Sequence, residues 1–174
     1  MSWIRDFRFG ISSNYGRQIS FVCRTKLELV TRQIVRSLWS CHHVDWLFLG
    51  SVRAFVGILI MWDKRTVEKL DQAVGHFSVS CKFQNLVNQS VWTFSGVYGP
   101  HVDNERRLMW DELSGVHHWW EVPWCVGGDF NVVRFPSERL GAAGYTSSML
   151  DFSNFISANG LVDIPMEGGC LHLV

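Results

Sequence analysis

A chain of 174 residues has single-domain length, enough to bury roughly 70% of its unfolded surface around one core, which argues against two domains. Lys plus Arg (16) equals Asp plus Glu (16), so no global positive field draws the chain to nucleic acid, and any such binding rests on a local basic face. With 47% hydrophobic residues, nine tryptophans and twelve phenylalanines, a disordered chain is excluded and a large core with a sticky surface is expected.

In chain order, the first residues alternate charge and aromatics rather than forming a secretory signal, and Gly10, Ser12, Ser13, Asn14 and Gly16 mark residues 1–16 as loop. A short strand is predicted over 19–23. Thr25-Lys-Leu-Glu28 has capping-box spacing, and Leu27, Val30, Ile34 and Leu38 recur at helical intervals, predicting a helix from there to Trp39. Residues 44–49 and 57–62 are apolar runs of strand length that pair in the core sheet, and 57–62 is far too short to span a bilayer. The default location is the nucleus or cytoplasm.

From Phe77 the pattern alternates, with Phe77, Val79, Cys81 and Phe83 on one face, then a polar turn at 85–90 and a β-branched and aromatic strand over 91–98. This hairpin is expected to bring Tyr98 to a sheet edge. Asp103 and Glu105 suit the first turn of a helix whose stripe is Met109, Leu113, Val116 and Trp120. Pro123 switches the chain into WCVGGDFNVV (124–133), an apolar run that stops at two glycines and delivers Asp129 and Asn131. Without a Cβ, Gly127 and Gly128 let the backbone turn sharply or let another group approach. A helix over 148–159 stops at Gly160, and short strands are expected over 161–165 and 170–174. Strands mixed with helices, with at least one strand–helix–strand passage, make the class α+β.

The five cysteines (23, 41, 81, 125 and 170) never form a C-x-x-C pair and are expected to be reduced core residues. Cys41-His42-His43 lacks a second ligand pair at zinc spacing, so no metal is assigned there.

VYGP (97–100), NERRLMWDEL (104–113), PWCVGGDFNVVRFPSER (123–139) and DIPMEGG (163–169), in that order and spacing, resemble the endonuclease/exonuclease/phosphatase (DNase I-like) superfamily. Within it, the endonuclease of plant LINE-type retrotransposons is most similar, over about Phe21 to Gly169. The Asp-Phe-Asn motif alone also suits the phosphatase branches; the tryptophan-rich block around it points to the retrotransposon branch. The resemblance implies a four-layer αββα sandwich, here a single partial domain incomplete at the C-terminus, and magnesium-dependent phosphodiester hydrolysis acting on DNA. It matches Asp129 to the acid that positions or activates the attacking water, Asn131 to the amide that holds the phosphate or that acid, and Tyr98 to the phenol that reaches a phosphate oxygen. Arg134 and Arg139 are candidate phosphate contacts. Without the resemblance, Asp129 reads as a turn residue, Asn131 as a local cap, Tyr98 as an edge-strand aromatic, and the two arginines as solvated.

Three departures bear on activity. The family's first strand carries Ser-Trp-Asn, where this chain has Ser2-Trp3-Ile4, and an apolar side chain does not replace the amide. The second strand ordinarily ends in Leu-Gln-Glu-Thr-Lys, its Glu the principal metal ligand, whereas this chain reads Val22-Cys23-Arg24-Thr25-Lys26. A cation in place of a carboxylate weakens magnesium binding, and Glu28 is poorly placed to substitute. The family's later Asp and Asp-His elements have no match before Val174, and His172 is not at the catalytic position. Phe55 and Val56 replace a glycine-rich turn and are expected to strain it, and an uncovered sheet edge is expected to favour aggregation. The expectation is therefore a hydrolase fold with impaired cleavage, with a binding or interaction module as the alternative.

Overall fold

The computed structural model describes residues 4–13, 16–25, 29–50, 57–141 and 144–162. One sheet contains β1 (Ile4–Ser13), β2 (Gly16–Thr25), β3 (Val44–Leu49) and β4 (Gly57–Asp63) in the order β1-β2-β4-β3, all neighbours antiparallel. The other contains β5 (Val67–Val74), β6 (Ser78–Asn85), β7 (Val91–Tyr98) and β8 (Trp124–Asp129) in that order, antiparallel except for the parallel pair β7–β8. A parallel pair needs a crossover, and α2 (Asp103–Trp120) supplies it.

Side-chain alternation fixes the layers. Ile58, Ile60 and Trp62 of β4 meet Val79, Cys81, Phe83 and Phe94 of the second sheet, forming a core between the sheets. Leu59 and Met61 face the other way, under Val30 and Val35 of the α1 region (α1, Arg32–Leu38). Covered on both faces, β4 is apolar almost throughout. On the outer face of the second sheet, Val97 and Phe130 pack with Met109, Trp110 and Leu113 of α2 and with Phe152, Phe155 and Ile156 of α3 (Ser147–Ala158). The result is the α+β four-layer αββα sandwich.

Glu112 ties the outer layer to the sheet. Its carboxylate accepts from the backbone N–H of His76 (2.7 Å) and Phe77 (3.2 Å) and from the Ser78 hydroxyl (2.6 Å), which holds the β5–β6 turn against α2. At the β4–β5 turn, buried Asp63 accepts from Arg65 Nη2 at 2.6 Å and from its Nε at 3.0 Å. The Arg65 side chain, more than any other group, brings the Asp63 carboxyl down to about 2. Cys41 points its thiol at this pair, 3.4 Å from Asp63 Oδ2, while His42 and His43 are exposed. Cys41, Cys81 and Cys125 are free thiols, and burial pushes Cys81 up to about 12 and Cys125 to about 11.

Several expectations are corrected. Residues 1–16, expected as loop, contain β1, in which Phe7, Phe9 and Ile11 alternate with Arg8, Gly10 and Ser12. The turn composition belongs only to the β1–β2 hairpin, where Ser13 and Gly16 are register partners. The helix expected from Thr25 begins at Arg32, with Thr31 as N-cap accepting from the Ile34 N–H at 3.4 Å. Thr25 instead closes β2, paired with Ile4 on one flank and Gly57 on the other, so sheet pairing on both sides overrides the local cap signal. The strand β5 was not expected. It is an edge strand, largely exposed, and shows little apolar alternation. Tyr98 does not lie at a sheet edge, because β7 runs between β6 and β8. Leu161 and Val162 are not in a strand. Ser2, Trp3, Lys26 to Glu28, Phe55, Val56 and everything from Asp163 onward, His172 included, lie outside the described residues.

Candidate active site

The site forms where β7 and β8 stop together. Phe94 and Cys125 are register partners that face the inter-sheet core, so four residues on, the partners Tyr98 and Asp129 face the same way. Both are half-buried at the ends of their strands.

Glycine permits this closeness. Gly128 has φ +147°, and a Cβ there would stand 2.0 Å from the Val97 carbonyl oxygen of the neighbouring strand. One residue beyond β7, a Cβ on Gly99 would stand 2.4 Å from the Phe130 carbonyl oxygen. The two loops that leave β7 and β8 therefore run backbone against backbone, joined by the Gly99 N–H donating to the Asp129 carbonyl at 2.6 Å.

Asn131 completes the junction. It adopts φ +52°, a left-handed conformation that asparagine tolerates better than most residues. Its backbone N–H donates to Asp129 Oδ1 at 3.0 Å, and its side-chain amide donates to the Gly99 carbonyl. Asn131 thus orients the acid and also clips the β8 loop to the β7 loop. Among the described residues, Asp129 Oδ2 carries no hydrogen bond, so this oxygen is available to a water. The arrangement offers a carboxylate that accepts a proton beside a phenol that donates to an anionic oxygen.

Beneath the junction, on the helical side, sits Arg106. Its Nη1 donates to the Pro100 carbonyl at 2.8 Å and to the Asn131 carbonyl at 3.2 Å. Its Nη2 pairs with Asp103 and lies 3.5 Å from the Ser148 hydroxyl. The Ser148 hydroxyl, with Arg106, holds the Asp103 carboxyl below the usual carboxylate range. Arg106 falls on the apolar stripe of α2, three residues before Met109 and three after Asp103. An arginine on a buried face with an acid at that spacing is a legible sign of a buried ion pair, but the sequence reading gave it no role.

Of the residues singled out from sequence, Tyr98, Asp129 and Asn131 are brought together. Arg134 and Arg139 follow on the next segment. The Arg134 guanidinium lies over the Phe135 ring, 5.0 Å from its centre, and Arg139 is exposed after the 3₁₀ turn Pro136–Glu138. Glu138, unremarked in the sequence reading, caps this turn by accepting from the Arg134 and Phe135 N–H groups at 2.9 and 3.0 Å.

Among the described residues, the donor set of this junction does not fit magnesium. A hard divalent cation needs several oxygen ligands, whereas Asp129 is the one carboxylate of the junction and one of its oxygens already accepts from Asn131. Among the described residues, no three His, Cys, Asp or Glu side chains gather at a metal-holding distance. β1 and β2 meet at their ends, where Ile4 is the register partner of Thr25, the residue after Arg24.

No family model and no curated protein matches the chain. Solved structures do match. The human Nocturnin catalytic domain with bound sulfate anion superposes with a TM-score of 0.57 at 10% identity, over 83% of this chain and 57% of that one. A mannosyl-6-phosphatase from Bacteroides thetaiotaomicron gives 0.55 at 12% identity, over 81% and 56%. An endonuclease/exonuclease/phosphatase family protein from the same bacterium gives 0.53 at 12%, over 72% and 49%. These neighbours belong to the endonuclease/exonuclease/phosphatase superfamily, and the fold of this chain is DNase I-like. The chain spans about half the length of each. No described helix is long and apolar enough to cross a membrane.

Proposed function

We propose that this chain is a retrotransposon-derived endonuclease domain of the plant LINE type that grips a DNA phosphate at Tyr98, Asp129 and Asn131 and has lost most or all of its magnesium-dependent cleavage. The observation that carries the reading is the junction itself: Tyr98 and Asp129 are register partners on one face, and Asn131 is bonded to both loops. Tyr98 donates to a phosphate oxygen, Asn131 keeps Asp129 oriented, and Asp129 holds the water that in an active relative attacks phosphorus. Arg134 and Arg139 meet the neighbouring phosphates. A solved structure of this fold, the human Nocturnin catalytic domain, carries a bound sulfate anion.

The loss of cleavage rests on Arg24 and Ile4. A guanidinium where the resemblance places the metal-binding carboxylate repels a divalent cation and attracts phosphate, which leaves the acid without its ion.

Fluorescence anisotropy with a short labelled DNA duplex tests the grip. Binding is expected to persist in EDTA and to weaken as salt rises. Tyr98→Phe and Asn131→Ala are each expected to weaken it roughly three- to tenfold, the scale of one ordinary hydrogen bond. Affinity that is unchanged in both variants, or that appears only with magnesium, contradicts the proposal.

A further inference from the structure

We infer that Arg106 is a positioning residue for the Tyr98–Asp129–Asn131 junction, its guanidinium locking the β7 and β8 loops to one another and to α2 and α3. The inference rests on the reading of that junction as the functional site.

The geometry separates Arg106 from any ligand. Tyr98 and Asp129 face the inter-sheet side, while Arg106 rises from the first turn of α2 on the opposite side and is only 7% exposed. One of its nitrogens spans both loops, from the Pro100 carbonyl to the Asn131 carbonyl. The other holds Asp103 and reaches Ser148 at the start of α3. Neither carbonyl lies within a strand or helix, so no ladder satisfies it.

The loops need such a lock. Asn131 has a positive φ, and Gly99 and Phe130 are closer than any Cβ allows, so this conformation is not one the backbone would select unaided. A planar fork with five donors bridges two carbonyls and a carboxylate at once. A lysine at the same place has one nitrogen and does not reach all three.

Arg106→Lys tests the lock, with Ser148→Ala as a milder second variant. Amide hydrogen exchange at Gly99 and Asn131, whose N–H groups donate to Asp129, is the local readout; the amides of interior strand β6 report global stability. In Arg106→Lys, exchange at Gly99 and Asn131 is expected to quicken roughly tenfold more than in β6, the equivalent of one lost hydrogen bond. Anisotropy with the same labelled duplex is expected to show a matching loss of affinity. If Arg106→Lys does not fold, Ser148→Ala decides, with a preferential quickening of about threefold at the same two amides. Exchange that rises equally in the junction and in β6 makes Arg106 a stability residue only and overturns the inference. Should the wild-type chain bind no DNA, the phosphate-grip proposal fails, and the exchange measurement still decides whether Arg106 locks the loops.

Discussion

Gly128→Ala is expected to lower the free energy of unfolding by more than about 3 kcal/mol, because a left-handed backbone and a backbone clash act together. The added methyl would meet the Val97 carbonyl oxygen at 2.0 Å, with the Val97 nitrogen at 2.8 Å and its carbonyl carbon at 2.9 Å. All three are main-chain atoms of the adjoining strand, so no side chain can rotate away. Relief requires β8 to separate from β7 at the residue before Asp129, which links stability to the site. Urea denaturation measures the effect. The control is Gly115→Ala on α2, where a Cβ meets nothing within 4 Å and helix propensity favours alanine by about 1 kcal/mol. Equal stabilities for the two variants would contradict the close approach described for β7 and β8.

Trp110→Ala is expected to cost about 4 kcal/mol, near the upper end for emptying a large aromatic site. The indole stacks on Phe155 with ring centres 4.6 Å apart and on Phe152 at 5.2 Å, and lies 5.7 Å from Phe130. It therefore joins α2 to α3 and to the segment just after Asp129, and three rigid rings cannot collapse into the cavity it leaves. Trp119, 71% exposed on the same helix, is the internal control, since its loss should leave the denaturation midpoint nearly unchanged. A Trp110→Ala midpoint within error of wild type would mean that the α2–α3 layer does not hold the second sheet as described.

What the sequence made legible follows from how each signal is produced. A strand buried on both faces, such as β4, is apolar almost throughout; a long helix over one sheet, such as α2, shows a full stripe with acids at its start. Both were read correctly, as was the glycine-rich end of β8. β5 escaped because an exposed edge strand has little to bury, and its residues follow solvent preference rather than a pattern. β1 escaped because Gly10 and Ser12 look like turn residues although they alternate with Phe9 and Ile11. The Thr25 capping box misled because local side-chain chemistry competes with sheet pairing, and at Thr25 pairing on both flanks is stronger.

The geometry of the candidate site was legible in part for a related reason. Asp129 and Asn131 announce themselves at the point where an apolar run stops, and Tyr98 sits at the matching end of the preceding strand. Their register is a property of the parallel pairing, which no local spacing encodes. Arg106 was missed because its partners, the carbonyls of Pro100 and Asn131, are backbone groups without a sequence signature.

The proposed junction grips phosphate without cutting it. Supercoiled plasmid incubated with the protein in magnesium, beside an Asp129→Ala variant, tests this most directly. No nicked product above the Asp129→Ala background is expected; magnesium-dependent nicking that Asp129→Ala abolishes would show that the junction still cleaves.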